Sequence, residues 1–452
     1  MEKPQMTQQL ERLTDALLIA ARKAGADSAD AMAVSGTSVS IETRAGKLEQ
    51  AKRSESIEIG LRVLMGGRQA CVSASDISDR TIAALAERAV AMAREAPVDA
   101  HAGLADAAQL ARGWDVAALE LADPADEPSA AALEADARAA EAAALAHGGI
   151  TQVEAGAGYS SRALHIAASN GFAGGYARTS RSLSAVAFTG SGTGMEQDYA
   201  GEGRVYQADM PGAAGIGTLA AERALARMGA VKPVTGTYPV LFDERVAVSL
   251  IGHLISAING AAIARGASWL KDAMGTQVLP AGLSVVEDPH RVRIGSSKPF
   301  DAEGLPTQRR AFVQDGVLTS WVLDLAMGRK LGLASTGNAT RGTSSPPSPG
   351  TSNLDLTQGT ATRDDLVSAM GTGLLVTSMI GSTINPTTGD YSRGAAGFWV
   401  QNGQISHPVN ECTIAGNLRD MLLRIVPAND ARAHLSFRVP SLLVDGMTLA
   451  GA

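Results

Sequence analysis

Metal and nucleophile chemistry each need particular side chains at particular spacings, and this chain offers few of them. Its seven histidines are His101, His147, His165, His253, His290, His407 and His434. No two lie three to five residues apart, the separation that puts two imidazoles on one helical face, and no H-E-x-x-H occurs. The two cysteines, Cys71 and Cys412, belong to no C-x-x-C pair. There is neither a G-x-S-x-G elbow nor a G-x-x-x-x-G-K-[ST] phosphate loop. The glycine-rich stretch 190–194 reads as a flexible turn. His407, Glu411 and Cys412 gather three ligand types in six residues, but a strand sends successive side chains to alternate faces. Together with His253 they are the set from which an unrecognised metal site would have to be built. His253 by itself reads as a core imidazole with a hydrogen-bond partner.

The most unusual local string is TGDYSRGAAGFW, residues 388–399. Small residues let one backbone approach another closely. Polar groups flanked by glycine suit an extended peptide docked on a strand edge. A bulged strand without a ligand accounts for the same residues. The candidate residues for a peptide channel or an interface are therefore His253, Asp390, Tyr391, Ser392, Arg393 and Phe398. No residue is assigned a catalytic or metal-binding role.

Elements must position these residues, and hydrophobic periodicity outlines them. Leu10, Leu13, Leu17 and Ala21 share a helical face that Gly25 ends. Residues 38–42 and 57–63 alternate as strands, and Gly66-Gly67 turns the second into residues 70–72. A second helix covers 79–94, with Ile82, Leu85, Ala86, Ala89, Val90 and Ala93 inward. After a loop over 96–130 come a helix at 130–146, strands at 151–159, 163–169 and 176–189, and a helix at 213–228. Residues 232–236 form the candidate linker. Beyond it, 239–242 is a strand, 246–264 an uncharged helix, and the remainder is rich in strands and turns. Asp315-Gly316 and Asn402-Gly403 supply the positive φ of tight hairpins. The Ser/Pro/Gly-rich segment 341–353 is expected to be a mobile loop.

Composition narrows the function classes. With 452 residues, 45% hydrophobic and 19% charged, the chain can bury more than one core. The net charge is −7 and no Lys/Arg run exceeds two residues, so the basic surface that nucleic acid requires is not advertised. Ser249, Gly252, His253, Ser256, Asn259 and Gly260 interrupt the uncharged 246–264 run, which argues for a buried helix over a membrane span. Two distant cysteines and an N-terminus without an apolar signal core point to the cytoplasm.

Several strings match one family: YPVLF (238–242), GHL (252–254), KPFDAEG (298–304), RKLGL (329–333) with STGN (335–338), GTGL (371–374), the 388–399 string and TIAGNL (413–418). The N-terminal half fits through Glu42-Thr43-Arg44 and Gly60-Leu61-Arg62-Val63. On these residues the chain resembles the PmbA/TldE branch of the TldD/PmbA peptidase family. The resemblance implies an α+β fold, with an N-terminal helix-and-sheet domain (1–231) and a strand-rich C-terminal domain (232–452) that holds a barrel-like sheet. It also implies pairing with a TldD-like subunit, whose H-E-x-x-x-H and downstream Cys bind zinc and make an attacking water nucleophilic near neutral pH. Here those positions fall on Ile251, Gly252, Ser256 and Val439, and none can replace the original. The chain is thus expected to hold no cofactor, with zinc in the partner. It would be inactive alone and serve as the non-catalytic subunit of a TldD/TldE-type metalloprotease that cleaves unfolded or modified peptides. The alternative is a homodimeric peptide- or protein-binding scaffold without a peptidase partner.

Overall fold

A computed structural model describes residues 3–452. Period-two alternation explains its N-terminal half. Strands β1 (Ser28–Arg44), β2 (Lys47–Met65), β3 (Arg68–Ala74), β4 (Ile150–Ala168), β5 (Ala173–Thr189) and β6 (Glu196–Arg204) form one antiparallel sheet in the order β3-β2-β1-β4-β5-β6. Odd-numbered residues of β1 face helices. Ala29, Ala31 and Ala33 pack under α1 (Lys3–Lys23) and α2 (Asp79–Glu95). Val39 and Ile41 pack under α3 (Ala130–Leu145) and α4 (Ala213–Ala226). Alanine-rich helices suit this layer because small side chains let helices lie close to a sheet. The expected helical faces are buried as read, including all six inward residues of α2.

The sequence reading splits β4 in two and omits β6. Ser160, Ser161 and Arg162 look like a break, yet β4 runs on because β1 and β5 supply hydrogen-bond partners on both sides of it.

The C-terminal half is a closed barrel. Strand β7 (Gly236–Phe242) joins strands Gly373–Ile384, Asp390–Gln401, Gln404–Asn417 and Leu442–Ala450. Pairing of Thr413 with Ala450 and Ile414 with Leu449 closes the five strands on themselves. One face of these strands packs with helix α5 (Glu244–Ala257). The other face, at Leu241, Leu375 and Val400, packs on the Arg363–Met370 helix. A small five-stranded sheet lies beside the barrel, and both Asp-Gly and Asn-Gly hairpins have the positive φ expected of them. The architecture is α+β with a barrel-like C-terminal sheet, as read from the sequence. The uncharged run 246–264 is not one helix: α5 ends at Ala257, and the Asn259 side chain caps a short second helix, Gly260–Ala264. No helix among the described residues is long and apolar enough to cross a membrane.

The two halves meet on the even-numbered face of the N-terminal sheet. Met32, Val34 and Ile166 pack there with Phe172 and Phe300. Next to them Asp30 pairs across strands with Arg62, whose Nε donates to Oδ2 at 2.6 Å. Arg341 reaches over from the C-terminal half and ion-pairs with the other oxygen of Asp30, its own side chain fully buried. Burial would raise the Asp30 carboxyl, but Arg341 and Arg62 outweigh it and hold the group below its ordinary value. Two residues on, Thr343 donates to Glu58 at 2.5 Å. Its backbone lies so close to Gly60 that a Cβ there would meet the Thr343 carbonyl oxygen at 2.1 Å. The 341–353 segment, expected to be mobile, is therefore clamped to the sheet. Its Ser and Pro residues resemble a free loop, and tertiary partners such as Asp30, Glu58 and Glu287 fix it.

Carboxyls without cationic contact surround this joint. Glu303 is buried, accepts from the Leu325 N–H at 2.8 Å, and is pushed up to about 8 by burial and then by Asp301. Two predictions follow from the joint. Asp30→Ala leaves two buried guanidiniums without their carboxylate and should cost about 3–5 kcal/mol in urea unfolding. For Glu303, folded and unfolded chains both hold the proton below its ordinary 4.5, so its contribution is full there. Between 4.5 and about 8 only the folded chain holds it, so stability falls as pH rises through about 8. Thermal melts of Glu303→Gln should therefore decline less steeply over that window than those of the native chain.

Candidate functional site

Helix α5 carries the face on which a site would be built. Asp243 caps its first turn, accepting from the Arg245 N–H at 3.2 Å. Ala247, Leu250, Ile251, Leu254 and Ala257 turn into the core. The residues that interrupt the apolar run, Ser249, Gly252, His253 and Ser256, make up the other face, which is half-buried to exposed. The Ser249 and Ser256 hydroxyls donate to the helix carbonyls of Val246 (2.7 Å) and Gly252 (2.9 Å). A Cβ at Gly252 would meet open space.

His253 faces the Asp390–Gln401 strand. Its ring meets the Tyr391 ring edge-on, with centroids 6.0 Å apart. Its Nε2 is buried without a hydrogen-bond partner among the described residues, so the expected partner is not found. Burial, and then Arg393, lower its pKa and favour the neutral imidazole. Tyr391 is buried and its hydroxyl donates to the Met379 sulfur at 3.3 Å, while burial pushes the phenol up to about 12. Arg393 donates to the Gly381 carbonyl at 2.7 Å. Ile380 is 76% exposed. His253, Tyr391 and Arg393 thus form one cluster, while Ile380, level with Gly394, lies on the opposite strand face.

The other three candidates are elsewhere. Asp390 closes the 385–390 turn, accepting from Thr388 (2.6 Å) and Asn417 (3.1 Å), which hold its carboxyl low. Ser392 lies half-buried on the strand face opposite Tyr391 and Arg393, as alternation requires. Phe398 packs against the cluster of Leu241, Leu366 and Val400, on the barrel's other face. Peptide docking on an edge of this strand is corrected by the structure. Residues 390–401 are hydrogen-bonded on both sides, to Gly373–Ile384 and Gln404–Asn417, so no edge is free. The small residues serve strand-to-strand approach instead: a Cβ at Gly397 would lie 1.9 Å from the Leu375 carbonyl oxygen.

The residues do not fit a zinc ion. Ile251 is a buried aliphatic, Gly252 has no side chain, Ser256 is bonded to its own helix, and Val439 is buried. None offers the imidazole, thiolate or carboxylate that zinc takes. The second candidate set does not converge either. Cys412 is in the core with its thiol pushed up to about 11, Glu411 pairs with Lys232 at 3.1 Å, and His407 contacts Ser406. Among the described residues no three His, Cys, Asp or Glu side chains stand close enough to hold a metal.

Residues the sequence reading quoted without assigning a role are the buried charges of KPFDAEG and its neighbour Arg341. A lysine and two acids within six residues of apolar sequence was the available signal. As a test of the close packing, Gly397→Ala should lower stability by about 1–3 kcal/mol in urea unfolding. Gly394→Ala, whose Cβ meets Ile380 O at 3.3 Å, should cost less.

Three family models cover most of the chain. They are described as PmbA/TldA metallopeptidase domain 1 (residues 29–93), central domain (123–228) and C-terminal domain (235–451). The first two share the single N-terminal sheet. Over 98% of this chain and 96% of the relative, the sequence is 37% identical to the protein named Metalloprotease PmbA of Escherichia coli O157:H7. A crystal structure from Bacteroides thetaiotaomicron, of a protein described as a candidate modulator of DNA gyrase, superposes with a TM-score of 0.92. It has 27% identity and covers 99% of this chain and 100% of its own. TldE from Thermococcus kodakarensis shares the fold, with a TM-score of 0.85 at 17% identity over 97% of this chain and 100% of its own. By this similarity along nearly its whole length, the chain belongs to the PmbA/TldA metallopeptidase family.

Proposed function

We propose that this protein is the non-catalytic, TldE/PmbA-like subunit of a TldD/TldE-type zinc metalloprotease that acts in the cytoplasm on unfolded or modified peptides. The observation that carries the reading is α5. The helix, its cap and its apolar face are intact, yet Ile251, Gly252 and Ser256 stand where a metallopeptidase of this family would hold its ligands and its acid-base residue. In this reading the zinc and the hydrolytic water belong to a TldD-like partner. This chain contributes walls and a docking face, for which exposed Ile380 is suited, since exposed apolar groups favour association.

The test is a peptidase assay on an unfolded peptide with this chain alone, a TldD-like partner alone and the two mixed, each with and without a chelator. Cleavage should be confined to the mixture and should be lost on chelation. Chelator-sensitive cleavage by this chain alone would overturn the reading. Full activity and stability of the partner without this chain would favour a homodimeric peptide-binding scaffold.

A further inference from the structure

A cavity of about 350 Å³ lies between the even-numbered face of the N-terminal sheet and the KPFDAEG segment. One wall is apolar, built by Met32, Leu164, Ile166, Tyr176 and Phe300. The opposite character is cationic: Arg162, Arg178, Lys298 and Arg341 all line it. The single lining acid, Asp301, already accepts from the backbone N–H groups of Glu303 (2.9 Å), Leu305 (2.9 Å) and Ala339 (3.1 Å).

These cations are under-used. Lys298 is 9% exposed, and its ammonium makes one long contact, 3.5 Å to the Ala339 carbonyl, out of three available donors. Among the described residues Arg341 Nη2 and Arg178 Nε are buried with no hydrogen-bond partner, although Arg341 ion-pairs with Asp30 and Arg178 donates to the Gly295 and Ser297 carbonyls and to the Tyr176 hydroxyl. The Arg162 side chain is exposed and has no ion pair or hydrogen bond among the described residues. A buried ammonium without an ion pair is costly, and burial lowers the Lys298 pKa, with Asp301 and Glu287 only partly opposing it. Folding leaves here a set of donors that an anion would complete, beside a surface that an apolar group would cover.

We propose that this cavity binds the free carboxyl terminus of a peptide whose last side chain is apolar, with Lys298 and the exposed Arg162 holding the carboxylate and the charges of Arg178 and Arg341 behind them favouring an anion. The proposal rests on the peptide-handling reading above and adds to it a subsite on the non-catalytic chain. A monoanion suits the cavity better than a phosphate dianion, because Asp301 lies in the same lining. A second cavity of about 350 Å³, bounded by Ser160, Gly203 and Leu435, shares Arg162 and Arg178 with the first. It gives the preceding residues of an extended chain a way out along β4 and β5. Guanidinium forks and an ammonium together match carboxylate geometry and charge.

Fluorescence anisotropy on the full chain tests this with an N-terminally labelled Ala-Ala-Ala-Leu peptide, as free acid and as C-terminal amide. The acid should bind at least tenfold more tightly. Lys298→Met should bring its affinity down to that of the amide without lowering the melting temperature, since an apolar side chain of similar length suits a buried site. Arg162→Ala, which removes an exposed side chain without a polar partner among the described residues, should weaken the acid alone, by several-fold. Equal binding of acid and amide, or binding of neither, would overturn the proposal. So would inorganic phosphate binding more tightly than the acid and losing that affinity in Lys298→Met, which would make this a free-phosphate site. Chelator-sensitive cleavage by the mixed subunits together with equal binding of acid and amide would remove the subsite and leave the subunit reading intact.

Discussion

The Asp30 carboxylate is a buried ionic joint between the two halves of this protein. It lies on β1 and pairs across strands with Arg62, and it takes a fully buried guanidinium from residue 341. Buried charges are stable only when each finds its partner, so the joint fixes how the C-terminal half sits on the sheet. The 341–353 segment, the packing of Phe300 on Met32 and Ile166, and the cavity lined by Lys298 all follow from that placement.

The joint works because the N-terminal sheet is two-faced. Odd residues of β1 meet alanine-rich helices, and even residues meet the other half of the chain. Gly60 belongs to the even set, and its missing side chain admits the Thr343 backbone. Glu303 and Asp301 sit where this interface excludes water, and burial raises both carboxyls. The interface thus concentrates ionisable groups, and some of their donors, such as Arg341 Nη2 and Arg178 Nε, remain unfilled.

The barrel half shows the reverse economy. Closure through Thr413–Ala450 joins the barrel's strands into a ring, and bulges and glycines let the strands approach closely. Around α5 the chemistry is sparse. His253, Tyr391 and Arg393 form a cluster with a neutral imidazole and a phenol that burial keeps protonated. Such a cluster can shape a surface, and it offers no metal ligand set.

The sequence by itself determined the local elements. Apolar residues at helical spacing gave α1 to α4, and the Asp-Gly and Asn-Gly turns gave their hairpins, because these depend on side-chain periodicity and on φ preferences carried by single residues. It also determined that Ile251, Gly252, Ser256 and Val439 cannot ligate zinc, since that is a matter of atom types. Tertiary structure alone decided three further things. It continued β4 through Ser160–Arg162, where neighbouring strands override weak local preference. It paired residues 390–401 on both sides and sent Phe398 away from Tyr391 and Arg393. And it anchored the 341–353 segment through Arg341 and Asp30, which lie 311 positions apart. Contacts across such separations leave no periodic trace in the chain, so only the folded arrangement reveals them.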